Sequence, residues 1–367
     1  MQTIQPKAIL ASLVFLLSCM GTVNAKVPIK AVYIPLADHY AGIVAYEKYR
    51  HKMKHADFQI KRMKSWPLLR AYFLGKGSDA DFAFVMSPLA MDMFHHQPIF
   101  RWVGQMHRDG NGLAVNDLLN MDINLPAKRI DRKPDSKVAD AFSKASKKLG
   151  KPIQVGVPDL LATHSVVLYK YLKDNGKTLA IGTGSTEDAV IIPIAPPKAP
   201  AFIKKKNSRG QPAAFEQSLP WADVVETQNF GKVGWYSKDV LVWPNGHVEC
   251  IVLAKDTAIN DKHAAIKEVI EFIHKAGEDI EIARRKGGAA MQEIADMVRK
   301  HIPEHNEEAI IQSLRPDLNV INYRHLNVDV PGIKLIMDLG VEGGILQQKI
   351  DLDAFTDPQF STEMGAF

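Results

Sequence analysis

The sequence predicts an α/β fold of two lobes, with a helical C-terminal region packing back on the first lobe. Three observations carry this expectation. Strand-like apolar runs recur with single helical patterns between them in two separate blocks, as in βαβ units built on largely parallel sheets. A polar, lysine-rich stretch from Asp117 to Gly150 separates the blocks. The final third is dominated by helical spacing, with Ile266, Ile270 and Ile273 on one stripe.

In the first block "IKAVYIPL" reads as a strand, "YAGIVAYEKYRHKM" as a helix and "FQIKRM" as a strand. "PLLRAYFLG" follows as a helix, "ADFAFVM" as a strand, "PLAMDMF" as a helix and "IFRWVGQM" as a strand, with "GLAVN" continuing the edge of that sheet. The lysine-rich stretch reads as a connection carrying one exposed helix. The second block runs through "IQVGV", a helix at "THSVVLYKYL", then "AVIIPIA", "APAFIKKK", "PAAFEQ" and "VGWYSKDVLV". After "CIVLA" a long helix covers "DKHAAIKEVIEFIHKAGEDIEIARRK", and helical pattern continues to about Leu346. The expected boundaries are a leader at 1–25, lobe 1 at 26–117, the connection at 118–150, lobe 2 at 151–245, and a return to lobe 1 with C-terminal helices at 246–367.

The leader reads as an export signal: Lys7, the apolar "AILASLVFLLS", and small residues at "VNA" before Lys26. "LLSC", ending at Cys19, is similar to a lipoprotein cleavage box, so a lipid anchor at Cys19 is the alternative to simple secretion. Both place the chain outside the cytoplasm, and the periplasm is the expected compartment. Removing the leader takes one lysine and no acid, so the formal charge falls from +5 to +4. That balance, without a basic stripe interleaved with aromatics, argues against nucleic acid. Cys250 alone is certain to remain, so no internal disulfide is expected once Cys19 is lost or acylated.

In open parallel sheets, ligands bind beyond the carboxyl ends of strands, where helix N-termini present free N–H groups. Four strand-to-helix junctions therefore matter. "PLADHYAG" offers His39 and Tyr40 as ligand contacts, with Asp38 read as a helix cap. "KSWPLL" sets Trp66 between the cap candidate Ser65 and Pro67, as a cleft wall. "MSPLAM" offers Ser87, as a cap or an anion contact. "ATHSVV" starts a helix with Thr163 and His164, beyond the strand "IQVGV". His164 is the leading ligand contact, while Leu168, Tyr171 and Leu172 anchor the same helix in the core.

Other patterns carry less. "GTGSTEDA" lacks the lysine and spacing of a phosphate loop and reads as a turn. His95-His96 and the i, i+4 pair His51/His55 lack a third ligand and read as solvated, so no metal is expected. In "HVEC", strand alternation would put His247 and Glu249 on one face and Cys250 on the other. No nucleophile motif or catalytic constellation is visible.

Taken in order, "SWPLLRAYFLGKGSDADFAFVMSPLAM", "DGNGLAVN", "THSVVLYKYL", "SLPWADVV", "PNGHVECIVLAKD" and "GGILQQKIDLDAFTDPQF" resemble the periplasmic substrate-binding proteins of ABC importers for nitrate, bicarbonate, taurine and sulfonates, the nitrate/bicarbonate branch above all. The resemblance implies a periplasmic-binding-protein-like (type II) Venus flytrap that closes over a small ligand, without a cofactor and without catalysis. Its implied ligand contacts are Trp66 and His164, with His247 near a basic ligand position and Pro220-Trp221 near the cleft. Together with the junction residues this gives Trp66, His164, Thr163, His39, Tyr40, Ser87, Asn111 and His247 as the candidate site. The implied ligand is an oxyanion such as nitrate, bicarbonate or a sulfonate, and the implied partner is an ABC permease met by a monomer. Three departures weaken nitrate itself: Leu113 stands where nitrate binders carry an amide, "LPW" replaces Glu-Pro-Trp, and Leu161-Ala162 replaces glycines before Thr-His. A sensory role toward a membrane receptor is the alternative. An enzyme similar to the iron-using thiamine-pyrimidine synthases of the same fold is the third reading, disfavoured by the leader and the single mature cysteine.

Overall fold

The computed structural model describes residues 25–367. The leader up to residue 24, with the box at Cys19, lies outside the described residues. The first block supplies strands β1 (Val27–Tyr33), β2 (Ala56–Arg62), β3 (Phe82–Met86) and β4 (Phe100–Gln105), followed by the two-residue β5 (Arg108–Asp109). Next come β6 (Asn111–Asn116), β7 (Ile153–Val157), β8 (Leu179–Ile181), β9 (Ala189–Pro193), β10 (Ala213–Ser218) and β11 (Gly231–Tyr236). Strand β12 (Cys250–Lys255) and the short β13 (Ile321–Asn322) complete the set.

These strands form two main sheets. The first has the order β2-β1-β3-β12-β4, with β12 antiparallel to both its neighbours. The second has the order β11-β6-β10-β7-β9-β8, parallel from β10 to β8, with β6 antiparallel to β10 and β11. Burial follows position. Central β3 (FAFVM) is buried at every residue, as a strand covered on both faces must be. Edge strand β2 alternates at its start and opens to solvent toward Arg62.

Two expectations are corrected here. "GLAVN" does not extend the first sheet; as β6 it lies inside the second, between β11 and β10. The lysine-rich connection is not one exposed helix but two, Asp117–Ile123 and Ser136–Leu149. The second of these buries Val138, Ala139, Ala141 and Phe142 and packs on β7 and β9. Its lysines occupy one face and leave an apolar stripe on the other.

The helix Tyr40–Tyr49 lies close on the first sheet because Gly42 carries no side chain; a Cβ there would sit 2.6 Å from the Phe84 ring. Over it packs the long helix His263–Lys286. From that helix the buried Glu268 carboxylate accepts the backbone N–H groups of Lys54, His55 and Ala56 at 2.6, 2.7 and 2.9 Å, fixing the entry to β2. Further on, the helix Val330–Glu342 touches both the helix Ser87–His96 of the first lobe and the helix Thr163–Asp174 of the second. The C-terminal region thus covers the first lobe and braces the other.

The chain crosses between the sheets twice, through 106–110 and through 237–249, and the two crossings run side by side. Met106 N donates to the Cys250 carbonyl at 2.9 Å, and Asp109 N to that of His247 at 3.1 Å. Asp109 Oδ1 takes the His247 N–H at 2.9 Å. This closeness requires glycine at 246: its φ is +93°, and a Cβ would lie 2.4 Å from Asp109 Oδ2. Arg108 Nη1 and Trp243 Nε1 both reach Asp329 Oδ2, at 2.9 Å each, tying the crossings to the C-terminal region. Among the described residues no helix is long and apolar enough to cross a membrane.

Candidate functional site

Between the sheets, the carboxyl ends of β1, β3, β4, β7 and β10 meet the amino ends of the antiparallel strands β6 and β12. The polar side chains at those ends converge. Asp38 follows β1, His107 follows β4, and Glu249 and Cys250 open β12. From the second lobe come His164, Ser218 and Asn111. All seven are 0% exposed, so the two lobes are closed upon one another. Backbone contacts seal the same seam, with Ala37 N donating to the Leu219 carbonyl at 2.9 Å.

Hydrogen-bond direction can be read from the acceptors. Ser218 Oγ donates to Asp38 Oδ2 at 2.8 Å. Its lone pairs then accept from His164 Nε2 at 3.1 Å, so that nitrogen carries the proton. His164 Nδ1 is left with a lone pair, facing Glu249 Oε1 at 3.6 Å and without a hydrogen-bond partner. His107 repeats the pattern. Its Nδ1 faces the Arg108 carbonyl at 3.4 Å, which can only accept, and its Nε2 points to Glu249 Oε2 at 3.3 Å and Asp38 Oδ1 at 3.7 Å. None of these last three atoms has a hydrogen bond of sound geometry. Cys250 Sγ lies 3.6 Å from Asp38 Oδ2, and Asn111 Nδ2 donates to Glu249 Oε1 at 3.3 Å.

Electrostatics follow from burial. Desolvation pushes Asp38 up to about 7, against the His107 charge and with the Glu249 charge. Burial opposes the Glu249 charge, yet the group is held low by the charge of His107, whose Nε2 faces it at 3.3 Å. His107 is raised: burial opposes its charge, but the carboxylates of Asp38 and Glu249 prevail. His164, with burial dominant, is pushed down to about 4, which agrees with the neutral form deduced from its hydrogen bonds. Burial, then Glu249, lifts Glu216 well above the carboxylate range, and burial lifts the Cys250 thiol.

The eight candidates divide. His164 and Asn111 sit in the cluster. Ser87 and Thr163 face one another across the lobes, Oγ to Oγ1 at 3.5 Å, and Ser87 N donates to the Glu249 carbonyl at 2.9 Å. His39 and Trp66 form an edge-on aromatic pair with centroids 6.0 Å apart, and both His39 Nε2 and Trp66 Nε1 are buried without partners. His247 is one shell removed, its Nε2 3.0 Å from Ser237 Oγ, which in turn accepts Asn111 N at 3.2 Å. Tyr40 turns away, its hydroxyl 2.8 Å from His305 Nδ1 beneath the C-terminal region.

Three readings of the sequence are corrected. Asp38 does not cap a helix; it lies within the 3-10 turn Ala37–His39 and serves the cluster. Ser65 and Ser87 make no side-chain cap hydrogen bonds. In "HVEC" Glu249 and Cys250 reach the same cluster, because regular strand begins only at Cys250 and alternation does not govern the residues before it. His107, Ser218, Glu249 and Cys250 were not among the candidates. The strand-end rule points to His107 and Ser218, each one residue beyond a strand-like run.

A family model described as the NMT1-like family matches residues 24–298. No curated protein matches the chain. Among solved structures, the periplasmic nitrate-binding protein NrtA from Synechocystis is similar at TM-score 0.72 and 15% identity, over 91% of this chain and 87% of that one. The ligand-binding component of an ABC-type import system from Staphylococcus aureus, with zinc bound, is similar at TM-score 0.69 and 16% identity, over 91% and 97%. The alkanesulfonate-binding protein SsuA from Xanthomonas axonopodis, bound to MOPS, gives 0.63 and 11%, over 90% and 99%. Likeness at such identities establishes the fold, that of the periplasmic binding proteins.

Proposed function

Because the chain belongs to the NMT1-like family, we propose that it is an exported solute-binding protein, which captures a small polar ligand between its lobes and hands it to an ABC permease. One observation carries this reading. Polar side chains from both lobes converge at the seam, fully buried, with Asp38 Oδ1, His107 Nε2, His164 Nδ1 and Glu249 Oε2 lacking partners. Buried polar groups are ordinarily satisfied, so an unsatisfied cluster at the seam of two lobes calls for a ligand. Closing the lobes removes water from such a ligand, and the closed form is what a membrane partner would read.

Oxyanions are the ligand class the family resemblance suggests, and the nitrate- and sulfonate-binding neighbours support it. The unpaired Trp66 Nε1 is a donor suited to an anion. The cluster itself presents mostly acceptors, since the one His164 N–H is spent on Ser218. A calorimetric or thermal-shift screen should therefore include nitrate, bicarbonate, sulfonates, carboxylates, amines and divalent cations. At least one class should stabilise the protein and compact it in small-angle scattering; silence across all of them would sink the proposal.

A further inference from the structure

We propose that Asp38, His107, Glu249 and Cys250 form a binding site for a divalent transition-metal ion of borderline softness, with zinc as the type case. This deepens the reading of the seam as a ligand site and rests on it. One ligand atom from each residue can be chosen so that all four lie within 4.8 Å of one another, and every one of the four residues is buried. Tetrahedral zinc, with bonds of about 2.0–2.3 Å, needs ligand atoms about 3.3–3.8 Å apart. Two separations already match, 3.3 Å for His107 Nε2 to Glu249 Oε2 and 3.7 Å for His107 Nε2 to Asp38 Oδ1; Cys250 Sγ lies 3.6 Å from the other Asp38 oxygen, Oδ2, so the set, spread over as much as 4.8 Å, would draw in around an ion.

The donor chemistry agrees. One thiol, one imidazole and two carboxylates make a mixed S, N, O set, which suits zinc and its neighbours better than calcium or magnesium. His107 has the arrangement typical of a metal-bound imidazole, with Nδ1 turned to a backbone carbonyl and Nε2 aimed inward. Three of the inward atoms, Asp38 Oδ1, His107 Nε2 and Glu249 Oε2, are buried without hydrogen-bond partners. All four ligands belong to the first lobe or the crossings. The second lobe adds the lone pair of His164 Nδ1, 3.6 Å from Glu249 Oε1, and the hydroxyl of Ser218 on Asp38. A cation held by the first lobe therefore gives the second lobe something to close upon.

The test is a titration of the metal-stripped protein with Co²⁺ and Zn²⁺. The expected result is one ion per chain, with Co²⁺ producing the near-ultraviolet thiolate-to-metal absorption that reports a sulfur ligand. Cys250→Ser and His107→Gln should each weaken binding about tenfold or more, and Cys250→Ser should abolish the thiolate band. A chain with exposed His51 and His55 replaced by alanine should bind as the parent does. Absence of stoichiometric uptake, absence of the thiolate band in the parent protein, or binding unmoved by both substitutions in folded variants each overturns the inference. If another small ligand still binds and closes the lobes in any of those cases, the solute-binding reading stands while the metal site falls. The band in the parent protein needs no variant, so a variant that fails to fold leaves the test intact.

Discussion

Ser218, the last residue of β10, donates its hydroxyl proton to Asp38 Oδ2 at 2.8 Å and so joins the two lobes by a hydrogen bond to a buried carboxyl group. Ser218 ends a strand of the second sheet and Asp38 sits in the turn after β1 of the first, so the bond exists only when the lobes are shut. Ser218→Ala should shift the protein toward the open form, seen as a larger radius of gyration in small-angle scattering. The cost to closure should be about 1 kcal/mol, with the unfolding midpoint of each lobe little changed. An unchanged scattering profile would show that closure does not lean on this bond.

His164→Ala and Trp66→Ala test the seam from its two walls. Each should weaken binding of whichever solute the screen identifies by about tenfold or more, in line with a lost buried hydrogen bond. Circular dichroism should stay native, since both residues lie at first turns of helices. Full-strength binding by both variants would move the ligand elsewhere.

Gly42→Val tests how closely the helix Tyr40–Tyr49 sits on the first sheet. The new Cβ would meet the Phe84 ring at 2.6 Å, well inside contact distance. Overpacking of this kind costs about 1–3 kcal/mol, readable as a lower urea midpoint. The turn holding Asp38 and His39 is attached to that helix, so ligand affinity should fall as well.

His305 provides a pH test away from the cluster. It is buried against Tyr40 and the Trp221 ring, and desolvation pushes its pKa from 6.5 down to about 3. Below 6.5 the unfolded chain takes up a proton that the folded state refuses, so stability falls as pH drops toward 3. The slope from this one residue is about 1.4 kcal/mol per pH unit. Asp38 works oppositely: raised to about 7, it keeps its proton in the folded state, and its contribution is lost as pH rises from 3.8 through 7. His305→Gln should therefore remove one such slope from the acid limb, found by subtracting urea-unfolding free energies of the two proteins at pH 6 and pH 4.

Much of the fold was legible because local signals and global structure agree. Apolar runs such as "FAFVM" and "IQVGV" became strands at those residues, and the isoleucine stripe of the long helix faces the core. Partnership was not legible. "GLAVN" reads as a strand by composition, but nothing in those five residues says which sheet will take it. The site was half legible for a related reason. His164 stood out as a polar residue at a strand-to-helix junction. His107 and Ser218 sit at strand ends that merely look like the start of loops, and Glu249 and Cys250 precede or open a strand whose regular alternation begins only at Cys250. Convergence depends on β12 folding back between β3 and β4, a pairing across 146 to 172 residues.

That placement of β12 also sets an order in time. Strands β6 to β11 form one unbroken stretch, so the second sheet can assemble from neighbouring segments alone. The first sheet has an empty slot between β3 and β4 until residues 250–255 arrive, and long-range pairings of this kind are slow to form. During that interval β3 and β4 expose apolar edges that invite pairing with other chains. Pulsed hydrogen exchange during refolding should find the amides of β7 and β10 protected before those of β3 and β4. The lobe that holds Asp38 and Cys250 is, on this account, the later of the two to exist.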